Sequence, residues 1–256
     1  MTSFQLTFTA VEGIPEVTPG MPLAPLIAGA LSRQFASLLD TDVVLIAQKI
    51  VSKAERRLVN LDSVEVSARA RELAARCGKD PRLVQVILSE SVEVVRCAPQ
   101  VLIVRHRLGY VMANAGIDQS NVPDSETQVL LLPQDPDASA AALRRALRET
   151  LGCAPAVIVT DSFGRPWRHG VCGIAIGSSG IVTLLDRRGD RDRFGRELKV
   201  TQIAVADELA AAGALVMGEA AEGRPVVLAR GIPAAWLRGP ARVADLVRPT
   251  SEDLFR

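Results

Sequence analysis

Aromatic residues are scarce in this chain: they make up 4% of its 256 residues, and alanine and valine carry much of an apolar content of 48%. Histidine is rarer still, with only His106 and His169, so a Ser-His-Asp triad has few candidates. Cysteine supplies Cys77, Cys97, Cys153 and Cys172, far apart and with no C-x-x-C pair, which signals neither a zinc knuckle nor a disulfide framework and leaves buried reduced thiols as the plain account. No excess of charge exists either. Thirty basic against 29 acidic residues leave +1, which removes the global electrostatic case for nucleic-acid binding. No apolar run approaches the ~20 residues of a membrane span, and Met1 through Thr9 lacks a basic segment leading into a long apolar one, so a cytoplasmic, non-membrane protein is expected. The two common nucleotide fingerprints are missing as well: there is no G-x-x-x-x-G-K-[ST], and Gly173, Gly177 and Gly180 do not form G-x-G-x-x-G.

What is present is a soluble-type composition with 23% charged residues, enough chain to bury a core, and a length that suits one elaborated domain or two interlocked lobes. Periodicity and caps predict a strand over 4–9, a turn at 13–16, a helix over 23–39 and a buried strand over 42–47. Ser67 is placed to cap a helix that stops at Gly78, and Asp80-Pro81 to open the next. Strands follow at 92–96, 101–105, 110–113 and 128–132, then a helix beginning at Asp137 and ended by Gly152. A short strand over 156–159 is expected to deliver Asp161 and Ser162 on a loop. Glycine-rich strands, an alanine-rich helix over 200–216, a break at 218–223 and a strand over 225–228 complete the chain. Helices and strands mix without strict alternation, which predicts an α+β fold.

Two segments carry the chemistry. Ala113-Asn114-Ala115-Gly116-Ile117-Asp118-Gln119-Ser120-Asn121 and Thr160-Asp161-Ser162-Phe163-Gly164-Arg165 each set one carboxylate beside hydroxyl or amide oxygens in a polar interruption of apolar sequence. A lone Asp118 reads best as an Asx-turn. With Asp161 and Ser162 added, a hard divalent cation held by oxygen ligands becomes the better account. In Ala47-Gln48-Lys49-Ile50-Val51-Ser52-Lys53-Ala54-Glu55 two lysines stand four apart at the end of a strand. They suit a nucleotide phosphate, although on sequence alone a solvated face is simpler. Residues 186–196 interleave five arginines with three aspartates, which suits a charge-paired mobile loop, or a loop lending one or two arginines to an anionic substrate. Gly218-Glu219-Ala220-Ala221-Glu222-Gly223 offers a further carboxylate, and His169 reads as a loop residue.

At these segments, together with Gly13-Ile14-Pro15-Glu16, Gly78-Lys79-Asp80-Pro81 and Val216-Met217-Gly218-Glu219, the chain resembles the coenzyme F420-0:L-glutamate ligases, the gamma-glutamyl ligases of F420 biosynthesis. The resemblance covers nearly the whole length, so a single ligase domain without the reductase-like C-terminal extension of some relatives is expected. It implies a mixed α+β protomer in an intertwined homodimer. It also implies a reaction that uses GTP with Mg²⁺ or Mn²⁺, two ions in all and with room for K⁺, to add L-glutamate to F420-0 and further glutamates in gamma linkage through an acyl phosphate. Asp118 and Asp161 would be the catalytic metal ligands, joined by Ser162 and more weakly by Glu219. Ile14, Pro15, Glu16, Val17, Gln48, Lys49, Lys53 and Asn121 would contact GTP. The chain departs from the family pattern at Arg107-Leu108-Gly109, where Arg-His-Gly is common, and at Arg56, where glycine is common. Two other classes use similar parts: a metal-dependent phosphohydrolase or nucleotidyl transferase, which would consume no glutamate, and a nucleotide-binding regulatory module, which would tolerate loss of Asp161.

Overall fold

Local chemistry sets both ends of the helices Ala68–Cys77 and Pro136–Leu151 and the start of the helix Pro81–Ser89, and the computed structural model describes residues 4–122, 124, 126–237 and 242–253. In chain order the elements are β1 (Thr7–Ala10), α1 (Leu23–Gln34), β2 (Val43–Ala47), α2 (Gln48–Ala54), β3 (Leu58–Asn60), α3 (Ala68–Cys77), α4 (Pro81–Ser89), β4 (Ser91–Ala98), β5 (Val101–His106), β6 (Val111–Ala113), β7 (Gln128–Leu130), α5 (Pro136–Leu151), β8 (Ala156–Arg165), β9 (Arg168–Ser179), β10 (Leu185–Asp186), β11 (Gln202–Ile203), α6 (Val205–Met217) and β12 (Val226–Arg230). Ser67 caps α3 by accepting the Ala70 N–H, and Gly78 ends it in the left-handed conformation. Asp80 and Pro81 open α4, and Gly152 closes α5, all as the sequence predicts.

Several boundaries differ from expectation, and β1 itself covers Thr7–Ala10 rather than 4–9. Helix α5 is capped by Asp135, with Pro136 as its first residue, because the Asp137 carboxylate accepts from the distant Ser178 and Val243 N–H groups instead. Helix α1 stops at Gln34 rather than 39. Helix α6 begins at Val205 rather than 200 because Gln202–Ile203 is drawn into a ladder with Leu185–Asp186. Most consequential, β8 does not end at 159. It runs to Arg165 in a long hairpin with β9, so Asp161 and Ser162 lie on a strand and His169 on its partner.

The main sheet has the order β1-β12-β2-β8-β9, antiparallel except for the parallel β2/β8 pair. Helices α1 and α5 cover one face through a core that includes Ile27, Leu31, Val44, Ile46, Leu147 and Val159. Helix α6 covers the other through Leu45, Ile158, Leu209 and Ala210. Strands buried on both faces need continuous apolar runs, which is why β2 reads Val-Val-Leu-Ile-Ala. Glycines let both layers close on β9: a Cβ at Gly173 would fall 2.5 Å from the Ala210 carbonyl oxygen of α6, and one at Gly177 2.2 Å from that of Pro136 in α5. A second core gathers α3, α4 and the β4-β5-β6 sheet around Leu73, Val84, Ile87, Leu102 and Val104. Among the described residues no helix is long and apolar enough to cross a membrane.

Glu90, at the end of α4 and with its side chain 12% exposed, ties these parts together. It accepts from Arg57 at 3.0 Å and Arg107 at 3.1 Å, and the Nε2 of fully buried His106 lies 3.5 Å away. Burial opposes ionisation of Glu90, but the His106 contact and the two guanidiniums outweigh it and hold the carboxyl down to about 2. Stability from such a group is fully present above the unfolded-state value, ordinarily 4.5, and is lost as pH falls through the folded one. We therefore expect Glu90→Gln to destabilise the fold at neutral pH by roughly 2–3 kcal/mol. The gap between wild type and variant should shrink as pH falls from about 5 to about 2, and parallel melting curves across that range would contradict the assignment.

Candidate active site

Strand β2 ends at Ala47 and the chain turns at once into α2, while β8, paired with β2 only as far as Thr160, continues. From Asp161 onward one edge of β8 is therefore released from its parallel partner, and a cavity of about 500 Å³ opens there. Its lining draws in Ile14, Pro15, Glu16 and Val17 from the loop after β1, Gln48, Lys49 and Lys53 from α2, Asp118 and Asn121, Asp161 and Ser162, and Glu219 from the loop after α6. Every residue that the sequence nominates for metal or GTP thus lines one space, although the segments come from five separate parts of the chain.

The solvated-face account of the lysines is overturned. Lys53 is 5% exposed and its ammonium donates to Glu16 Oε1 at 2.5 Å. Lys49 donates to Asp118 Oδ2 at 2.7 Å and to Ser120 Oγ at 2.7 Å. Burying an ammonium requires a partner, and here a loop 37 residues upstream provides it. Gln48, 3% exposed, commits its amide nitrogen to Ser52 Oγ at 2.6 Å and the Leu131 carbonyl at 3.3 Å, so its side chain also braces α2.

Asp118 is presented by a left-handed turn in which Asn114, Ala115 and Gly116 all have positive φ. Ala115, with φ 55° and ψ 28°, carries strain of the kind that collects where geometry serves function. An Asx-turn is also real: Asp118 Oδ1 accepts the Ser120 N–H at 2.7 Å. Burial works against the charge of Asp118, but Lys49 and Ser120 outweigh it and hold the carboxyl below the usual range. Asp161 behaves in the opposite way. Burial of its carboxyl pushes it up to about 7, the charges of Asp118 and Glu219 add to the push, and the Ser162 N–H and Lys49 oppose it. Ser162 Oγ meets both Glu219 oxygens, at 2.7 and 2.8 Å.

Among the described residues no three His, Cys, Asp or Glu side chains close into a ready metal cage. The donor chemistry nevertheless fits a hard divalent cation, because the Asp161 carboxyl lies within the fields of two other carboxylates and beside a hydroxyl, an arrangement that a cation relieves.

The loop after α6 contributes more than Glu219. Ala220, Ala221, Glu222, Gly223 and Arg224 also line the cavity. The loop leaves α6 through Gly218, whose φ of 79° and ψ of 174° belong to glycine alone. A Cβ there would fall 2.2 Å from Glu222 Cδ, whose carboxylate accepts the Ala220 N–H. Asn121, itself at φ 54°, donates to the Ala220 carbonyl and links the loop to the Asp118 turn. Sequence reasoning places this break at 218–223 but takes only Glu219 from it, and it assigns nothing to Ser120 or Thr160, which also line the cavity. The signals were the glycine pair at 218 and 223 and the run of hydroxyls beside each aspartate.

The two departures fall at different places. Leu108 is not among the cavity-lining residues, and its N–H donates to His106 Nδ1. Arg56 has φ 59°, the left-handed conformation that glycine adopts most readily, and its guanidinium covers Gly20 in the loop that bears Glu16. The arginine-rich segment is charge-paired, with Arg188 on Asp186 and Arg187 on Asp190, and none of it lines the cavity.

Residues 13–231 match the F420-0:gamma-glutamyl ligase family. The chain is 49% identical over 251 residues to the coenzyme F420:L-glutamate ligase of Methanopyrus kandleri, across 96% of this chain and 97% of that protein. To that of Methanothermobacter thermautotrophicus it is 46% identical over 251 residues, across 98% and 99%. To that of Archaeoglobus fulgidus it is 43% identical over 246 residues, across 96% and 94%. On the match to the family and on relatives this close over almost their whole length, the chain belongs to the F420-0:gamma-glutamyl ligase family.

Proposed function

We propose that the protein is a GTP-dependent ligase that joins L-glutamate to coenzyme F420-0 through an amide bond and adds further glutamates in gamma linkage. The observation that carries this reading is the convergence of Lys49 and Lys53 with Asp118, Asp161, Glu219 and Ser162 on one cavity of nucleotide-compatible size. The names borne by the relatives supply the acceptor and the amino acid.

In this account a carboxylate oxygen of the acceptor attacks the γ-phosphorus of GTP and GDP leaves. The unprotonated amine of glutamate then attacks the acyl carbon, phosphate departs, and the amine gives up a proton. Lys49 and Lys53 are ammoniums suited to phosphate oxygens, and binding would exchange their present carboxylate partners, Asp118 and Glu16, for the nucleotide. Asp118, Asp161, Ser162 and Glu219 would hold Mg²⁺ or Mn²⁺, which when bound neutralises charge on the transferring phosphoryl group. Ile14 to Val17 and Asn121 would complete the nucleotide's surroundings. No side-chain nucleophile is needed. The test is an acceptor carboxylate labelled with oxygen-18: label should appear in the released phosphate, and unlabelled phosphate alongside amide product would rule out the acyl phosphate.

A homodimer is part of the reading. Strand β9 forms an outer edge of the main sheet, and exposed apolar side chains stand on it and on the neighbouring α6, with Val171 at 53% and Leu215 at 88% exposure. Long edges of this kind call for cover. Light scattering should give twice the monomer mass for the wild type and a lower mass for Val171→Glu combined with Leu215→Glu; a monomeric wild type at micromolar concentration would end this part of the account.

A further inference from the structure

Thr160 lies between Val159 and Asp161 on β8, is 4% exposed, and lines the cavity. Its Oγ1 is buried and has no hydrogen-bond partner among the described residues. A β-branched residue suits that strand position, but a hydroxyl does not: a buried unbonded hydroxyl carries a desolvation cost that a valine of the same shape avoids. Its main chain is occupied by the sheet, where it is registered with Ala47 on one side and Ala175 on the other. Only the side chain remains to be explained.

Position narrows the explanation. Ala47 immediately precedes Gln48 and Lys49, so Thr160 sits where the lysine-bearing helix and the carboxylate-bearing strand meet. Strand alternation puts Thr160 on the same face as Ile158, which packs in the core formed with α6, and opposite to Asp161. The cavity wall on that face includes Ala214 and Met217 of α6, from which the loop carrying Glu219 departs. Ser162 is already engaged with Glu219, and Lys49 with Asp118 and Ser120, whereas Thr160 brings a neutral donor that adds no charge to the site.

We propose that Thr160 is a nucleotide-binding residue, its hydroxyl donating to a phosphate oxygen of the bound nucleoside triphosphate. Phosphate oxygens only accept, so the hydroxyl must donate, and the ligand takes the place of the partner that the fold withholds. This rests on the nucleotide-using reading of the cavity, and the experiment separates the two. Calorimetric binding of a non-hydrolysable GTP analogue with Mg²⁺ is measured on the wild type, Thr160→Val and Thr160→Ser, with melting temperatures alongside. Valine should weaken binding by about 10–100-fold while leaving the melting temperature equal or higher, and serine should stay within about 3-fold of wild type. If valine itself lowers the melting temperature, Thr160→Ala compared with Thr160→Ser decides, since both lose the methyl group and only alanine loses the hydroxyl. Wild-type affinity in the hydroxyl-free variant overturns the assignment of Thr160 alone. A wild type that binds no analogue overturns the nucleotide reading, and this proposal with it.

Discussion

Asp161→Asn is expected to lower ligase turnover by about 1,000-fold while the protein folds normally. The substitution keeps the shape of the side chain and removes one of the three carboxylates on which the proposed cation site depends. The same change removes a group whose charge is opposed by burial and by Asp118 and Glu219, which push it up to about 7. A carboxyl raised in the folded state costs stability progressively as pH climbs from its unfolded value, ordinarily 3.8, to about 7, and the full cost stands above that in protein treated with chelator. Relief worth about 2 kcal/mol should raise the melting temperature of the metal-free variant by roughly 4–8 °C. Divalent cation should then stabilise the wild type and leave the variant almost unmoved. Unchanged turnover would remove Asp161 from the mechanism; lost turnover with a lowered melting temperature would point to a structural role instead.

Lys53→Met should be nearly as damaging, with kcat/KM for GTP reduced by about 100-fold or more, since an ammonium that meets phosphate in a water-poor site is worth far more than one in solvent. Methionine retains the stem that packs in the 95%-buried position and deletes only the charge, so the fold should survive. Glu16→Gln is the informative companion. Glu16 is the present partner of Lys53 but is itself mostly exposed, at 73%, so its loss should alter kcat/KM by less than about 10-fold. Steady-state kinetics at varied GTP decides between the accounts: equal losses from the two variants would mean that the ion pair, rather than the lysine, is what the reaction needs.

Much of the architecture was legible locally. Ser67, the Asp80-Pro81 pair, Gly78 and Gly152 announce helix ends through short-range hydrogen bonds and left-handed backbone, and the structure uses each of them. Where the reading failed, a distant partner had decided. Helical spacing points to Asp137 as the start of a helix, but its carboxylate is held by the Ser178 and Val243 N–H groups, and Asp135 does the capping. The hairpin that carries Asp161 beyond 159 was missed because Gly164, Gly170, Gly173 and Gly177 dilute the alternating pattern; the glycines at 173 and 177 are there to admit α6 and α5. The lysines of α2 looked solvated because the loop that buries Lys53 comes from residues 13–17, and nothing within four positions of either lysine reveals it. The residues that the cavity gathers are nominated by the sequence, partly through paired carboxylates with hydroxyls and partly through the resemblance; the cavity, the left-handed turn beneath Asp118 and the brace between Asn121 and Ala220 come from the structure.

The most direct test of the central claim is mass spectrometry of products formed from F420-0, L-glutamate, GTP and Mg²⁺ or Mn²⁺, with each component omitted in turn. The account predicts glutamyl adducts of F420-0 that vanish without GTP or without the metal ion. GTP hydrolysis with no adduct, or adducts that persist without GTP, would contradict it.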